Sequence, residues 1–130
     1  MFNLHDKLLK VHDRVHAAIA QAGRTPNSVQ LLAVSKTQPA ASIRELYRFG
    51  QSAFGENYLQ EALEKQSELN DLNIEWHFIG PIQSNKTQDI AEHFNWVHGV
   101  DRLKIAKRLN DQRPSGLPPL NICLQINIDN

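Results

Sequence analysis

Lys36 is the residue of this sequence best placed for covalent chemistry, because of what surrounds it. Leu31-Leu32-Ala33-Val34 run without polar interruption, Ser35, Lys36 and Thr37 follow together, and Pro39 comes next. A short continuous apolar run reads as a strand covered on both faces, here 31–36. Pro39, at a first helical position, reads as a helix start. Lys36 therefore falls where a buried strand gives way to a loop, the place where ligands and catalytic groups collect in α/β proteins. Side chains alternate along a strand, which puts Lys36 on the face of Val34 and Leu32. Desolvation against such neighbours disfavours the ammonium and leaves more free amine, the form that attacks a carbonyl to give a Schiff base. The competing reading is an ordinary solvated lysine.

Other polar residues gather at the ends of further strands. Gly55, Glu56 and Asn57 follow the second; His77, Gly80, Gln83, Ser84, Asn85 and Lys86 lie in or after the third; Asn127 and Asp129 end the last. Several such groups on one rim make the pattern of an α/β active face. Each also has a plainer reading: Asn57 as a helix cap, His77 as a hydrogen-bonded core histidine, 83–86 as a helix entrance. His12 and His16 stand one helical turn apart, but no third ligand accompanies them, so no metal site is expected. The single cysteine, Cys123, excludes an internal disulfide and reads as a small buried hydrophobe between Ile122 and Leu124.

The elements that must position these residues alternate. Leu4, Leu8, Val11, Val15, Ile19 and Ala22 repeat at helical spacing and Gly23 stops the helix. Strand 31–36 and helix 39–49 follow, then strand 53–55 and a helix capped by Asn57. Strand 74–79, a weaker helix over about 84–94, strand 96–98 and a helix capped by Asp101 come next. A loop at 113–119 leads into 120–128, where apolar and polar residues alternate as in a strand. Repeating βα units predict a parallel sheet, doubly wound or closed into a barrel. Neither Gly-rich nucleotide-binding signature is present.

Composition narrows the classes further. A chain of 130 residues, 41% hydrophobic and 22% charged, fits one ordinary globular domain. A formal net charge of zero gives no footprint for nucleic acid or an acidic membrane, and no apolar run approaches spanning length. The cytoplasm is the expected compartment, since 1–7 lack the apolar core of a signal peptide.

Three blocks carry a resemblance: Ala33-Val34-Ser35-Lys36-Thr37, Phe54-Gly55-Glu56-Asn57-Tyr58, and Glu75-Trp76-His77-Phe78-Ile79-Gly80-Pro81-Ile82-Gln83-Ser84-Asn85-Lys86. With Val100-Asp101-Arg102-Leu103 and Leu124-Gln125-Ile126-Asn127-Ile128, they are similar in order and spacing to the pyridoxal-phosphate homeostasis protein family. The resemblance implies a parallel (β/α)8-type barrel like the alanine racemase N-terminal domain, with residues 1–130 its N-terminal part after a leading helix. It implies pyridoxal 5′-phosphate held on Lys36 as an aldimine, with Asn57 and His77 lining the cofactor pocket. It further implies intracellular buffering or delivery of the cofactor, without dedicated catalysis, to partners that include apo-enzymes dependent on it. An amino-acid racemase-type enzyme is the alternative, and a ligand-free scaffold a third. Family members are nearly twice this long, and the resemblance places their phosphate-binding loops after Asn130. Residues 1–130 alone are therefore expected to form an open half-barrel that binds the cofactor poorly.

Overall fold

The leading helix α1 (Leu4–Gln21) starts where Asn3 accepts a hydrogen bond from the Asp6 backbone N–H at 2.8 Å. An N-cap of this kind satisfies one of the first turn's orphan donors, and the Asp6 carboxylate suits the positive end of the helix dipole. Gly23, at φ +67, takes the left-handed conformation that ends the helix just after its C-cap, Ala22. A computed structural model describes residues 3–129; Met1, Phe2 and Asn130, which the sequence reading includes in its single domain, lie outside the described residues.

Strands and helices then alternate: β1 (Ala33–Val34), α2 (Ala40–Arg48), β2 (Ala53–Glu56), α3 (Leu59–Glu68), β3 (Glu75–Phe78), α4 (Thr87–His93), β4 (Trp96–Val100), α5 (Leu103–Gln112) and β5 (Asn121–Leu124). One 3₁₀ turn, Ser84–Lys86, precedes α4. The strands lie side by side in chain order, each parallel to the next. Every connection carries a helix and the order never reverses, which is the course of a partial (β/α) barrel and not of a doubly wound sheet. The α/β class and barrel course expected from the sequence are therefore present.

Register assigns the two faces. Ala33, Phe54 and Trp76 are in register, as are Phe78 and Val97, and these side chains meet the helices. There Phe54 and Trp76 lie 6.4 Å apart, and Phe78 meets Phe94 edge-on at 5.3 Å, an arrangement that aromatic quadrupoles favour. Ile43, Ala62, Ile90, Ile105 and Leu109 complete this core from the helix side. Val34, Gly55, His77 and Trp96 are in register on the opposite face. Gly55 packs there between Leu32 and Ile79, where an added Cβ would meet Ile79 at 3.2 Å.

Several boundaries differ from the sequence expectation. β1 has two residues instead of 31–36, and β5 stops at Leu124 instead of 128. Both border the sheet, so a ladder can form along one side only. β4 runs on to Val100 through a register shift after Val97, with Gly99 at φ +73. Asn57 and Asp101 do not cap helices: the N-caps are Tyr58 and Arg102, neither with a side-chain bond, because each helix begins one residue later than the candidate cap requires. Cys123 is half-buried, since it stands on a border strand.

Val34, Leu124, Ile126 and Ile128 are 54%, 66%, 73% and 89% exposed. Border strands with apolar side chains template further pairing, and contiguous exposed apolar surface favours association. Residues 1–130 expressed alone are expected to elute on sizing chromatography as concentration-dependent oligomers. A monomer peak unchanged over a hundredfold range of loading would contradict this.

Candidate functional site

Lys36 stands in the turn that follows β1, one residue past buried Ser35. Its side chain is exposed, and Nζ makes no hydrogen bond or ion pair with the described residues. The desolvated amine expected from the sequence is therefore corrected: Val34, the neighbour meant to cover it, is itself 54% exposed at the border of the sheet. The ladder nevertheless continues past β1, as the Ser35 N–H donates to the Gly55 carbonyl at 2.9 Å. Beside it, the Ile79 N–H donates to the Glu56 carbonyl at 2.9 Å. Extended one residue beyond the paired positions, period-two alternation assigns Lys36, Asn57 and Ile79 to the next layer on the face of Val34, Gly55 and His77.

The backbone on both sides of Lys36 is tied down from the helix layer. Lys65 of α3, 6% exposed, donates from Nζ to the Ser35 carbonyl at 2.8 Å and to both oxygens of Glu56 at 3.0 and 3.2 Å. It also pairs with Glu61 at 2.7 Å. Glu56 is fully buried and accepts a short bond from the Ser35 hydroxyl. Glu61 in turn accepts from the Thr37 N–H at 2.6 Å. The Lys65 hydrogen bond, aided by the Thr37 N–H, holds the Glu61 carboxyl below the usual range. Ser35 and Glu56 thus stand at the strand ends, as the sequence predicts, but meet the helix layer.

Asn57, half-buried, follows β2 directly. Its carbonyl oxygen occupies the space where a Cβ on Gly80 would sit, so Gly80 is required for this approach of the β2 and β3 ends.

His77 is buried, with both ring nitrogens engaged. Nε2 meets Glu75 Oε1 at 2.7 Å and Nδ1 meets His98 Nε2 at 3.0 Å, while Trp96 stacks parallel at 5.6 Å. An ionised carboxylate only accepts, so Nε2 of His77 carries the proton, its Nδ1 accepts, and His98 Nε2 donates. This hydrogen-bonding pattern leaves His98 Nδ1 as the acceptor that ends the file. Burial, and secondarily the charge of His77, push the His98 pKa below its ordinary 6.5. The β4 bulge falls right at His98, and bulges re-aim side chains. Sequence reasoning selected His77 and missed Glu75 and His98. The available signal was positional: Glu75/His77 and Trp96/His98 each fall two residues apart on neighbouring strands.

The donor set suits an aldehyde-bearing aromatic cofactor: a primary amine without a partner, a stacked His77–Trp96 pair, and a ring nitrogen free to accept. For a metal, Asp89, Glu92 and His93 of α4 bring ligand atoms within 4.8 Å of one another, but His93 Nδ1 faces the Asp89 carbonyl at 2.9 Å.

Residues 12–130 match the family described as alanine racemase, N-terminal domain. The chain is 63% identical over 128 residues to a protein of Pseudomonas aeruginosa named pyridoxal phosphate homeostasis protein, covering 98% of this chain and 56% of that one. A protein of the same name from Escherichia coli is 53% identical, with the same coverage of 98% and 56%. The chain thus spans about half the length of the curated relatives it matches. Among solved structures, PipY of Synechococcus elongatus without pyridoxal phosphate (PLP) superposes with a TM-score of 0.74 at 46% identity, covering 85% of this chain and 52% of PipY. PipY with PLP bound gives 0.65 at 50% identity, covering 73% and 45%.

Two outcomes check this geometry. Nuclear magnetic resonance should show His98 titrating below 6.5, the direction that its burial imposes. Below pH 6.5 the unfolded chain takes the proton before folded His98 does, so stability should fall as pH drops through the depressed value. A His98 midpoint at or above 6.5 would refute the file. Gly80→Ala, which drives a Cβ into the Asn57 carbonyl, should destabilise the protein by about 1–3 kcal/mol in urea unfolding; an unchanged midpoint would refute the close approach.

Proposed function

The chain belongs to the alanine racemase N-terminal domain family, and from that premise we propose that residues 1–130 are the N-terminal part of a single barrel domain that binds pyridoxal 5′-phosphate. The cofactor is held on Lys36: Nζ attacks the aldehyde carbon, the carbonyl oxygen leaves as water, and a C=N bond joins the two. The single observation that carries this reading is the Lys36 amine, without a partner in a turn whose two flanking residues are both fixed. Asn57, in the same layer as Lys36, and His77, stacked on Trp96, line the cofactor without reacting with it.

The role is cofactor homeostasis, buffering or delivery in the cytoplasm, with apo-enzymes as recipients and without a dedicated reaction. The names of the relatives support that role. Among the described residues, no helix is long and apolar enough to cross a membrane. Racemisation requires an acid and a base on opposite sides of the cofactor. Among the described residues, the histidine file lies on β3 and β4 and Lys36 follows β1.

Borohydride reduction of the full-length protein with pyridoxal phosphate, followed by peptide mapping, should place the pyridoxyl group on Lys36. Labelling chiefly at Lys86, Lys104 or Lys107 would overturn the assignment. Measurable racemisation of alanine by the same preparation would overturn the non-catalytic role.

A further inference from the structure

We propose that Glu61 and Lys65 are positioning residues for Lys36, fixing from the opposite face of the sheet the turn that presents its amine. The inference rests on the reading of Lys36 as the imine-forming lysine.

The residue before Lys36 and the residue after it are each bound to α3. Lys65 holds the Ser35 carbonyl at 2.8 Å, and Glu61 holds the Thr37 N–H at 2.6 Å. The two clamps are joined by the 2.7 Å Lys65–Glu61 pair, one helical turn apart, so they act as one unit. Thr37 sits at φ +65, a conformation that a β-branched residue adopts only where its surroundings impose it. The strand itself is a poor mount, since β1 pairs with β2 through two residues. Buried Glu56 anchors Lys65 to the end of β2, so the cluster ties the Lys36 turn to its neighbouring strand as well as to α3.

An ion pair removed from water is a weak source of stability compared with apolar side chains of the same volume. What this one supplies is direction. Each clamp bonds a main-chain group rather than a side chain, and the only side chain between the two clamps is that of Lys36. Holding the reacting amine in place lowers the entropy lost when it meets an aldehyde. The sequence alone points to Lys36 but not to this mount, because a Glu and a Lys four residues apart on a helix look the same whether the pair is buried or solvated.

Glu61 gives the cleaner test, being half-buried and outside the Glu56–Lys65 contact. In the full-length protein, Glu61→Ala removes the acceptor for Thr37, whereas Glu61→Gln keeps an oxygen there. Two readouts are taken after thermal unfolding shows both variants folded. One is amide hydrogen exchange at Thr37 in cofactor-free protein. The other is formation of the imine absorbance band with added pyridoxal phosphate, trapped by borohydride and mapped.

Glu61→Ala should speed Thr37 exchange and weaken imine formation at Lys36 about tenfold, equivalent to ~1.4 kcal/mol. Glu61→Gln should recover most of both. If wild-type trapping falls on a lysine other than Lys36, the reading of the site is wrong, and this inference with it. If trapping falls on Lys36 while Glu61→Ala matches wild type in both readouts, only the positioning role is wrong. A Glu61→Gln variant as impaired as Glu61→Ala would also overturn it, since the Thr37 bond would then not be what matters.

Discussion

An ammonium has three protons to donate, and Lys65 finds an acceptor for each in a place almost closed to water: Ser35, Glu56 and Glu61. A buried charge is tolerable only when its donors are met, so these partners are obligatory to one another. Removing Lys65 or Glu56 leaves the other's charge stranded in the core, a loss of about 3–5 kcal/mol for a buried pair. Three separate pieces of chain, the ends of β1 and β2 and the first turns of α3, are held in one arrangement by that requirement.

The sheet divides its labour between its faces. Toward the helices it presents aromatic and aliphatic side chains, Phe54, Trp76, Phe78 and Val97, with the Lys65 cluster near the strand ends. Toward the other face it presents the Glu75–His77–His98 file, with Lys36 and Asn57 just past the ends of β1 and β2. Parallel pairing makes this possible, because residues in register share a face from strand to strand while their chain neighbours take the other. One strand therefore serves both: in β3, Trp76 and Phe78 build the core while Glu75 and His77 build the file.

This division explains what the sequence disclosed. The apolar runs and helical spacings announced the βα alternation, and the parallel sheet in chain order follows from it. Lys36 was visible because a polar triplet ends an apolar run. The bounds of β1 and β5 were not, since they depend on how many neighbours a strand has, which is a property of the sheet. Asn57 resembled a cap by type and place, but its carbonyl's contact with Gly80 depends on a neighbouring strand. Glu56 looked like a rim residue because it adjoins Asn57. Only the register turns it inward, where Lys65 meets it from nine residues further along the chain. His98 stayed hidden for a related reason: its partner, His77, lies 21 residues earlier and meets it only across paired strands.

The strand order has a bearing on synthesis. Each strand pairs with the one made just before it, so no strand waits for a partner that the ribosome has yet to supply, β1 excepted. As each βα unit emerges, it finds the open edge of its predecessor already formed. The chain can therefore assemble its sheet in the direction in which it is translated, and the Lys36 turn is clamped as soon as α3 has been made.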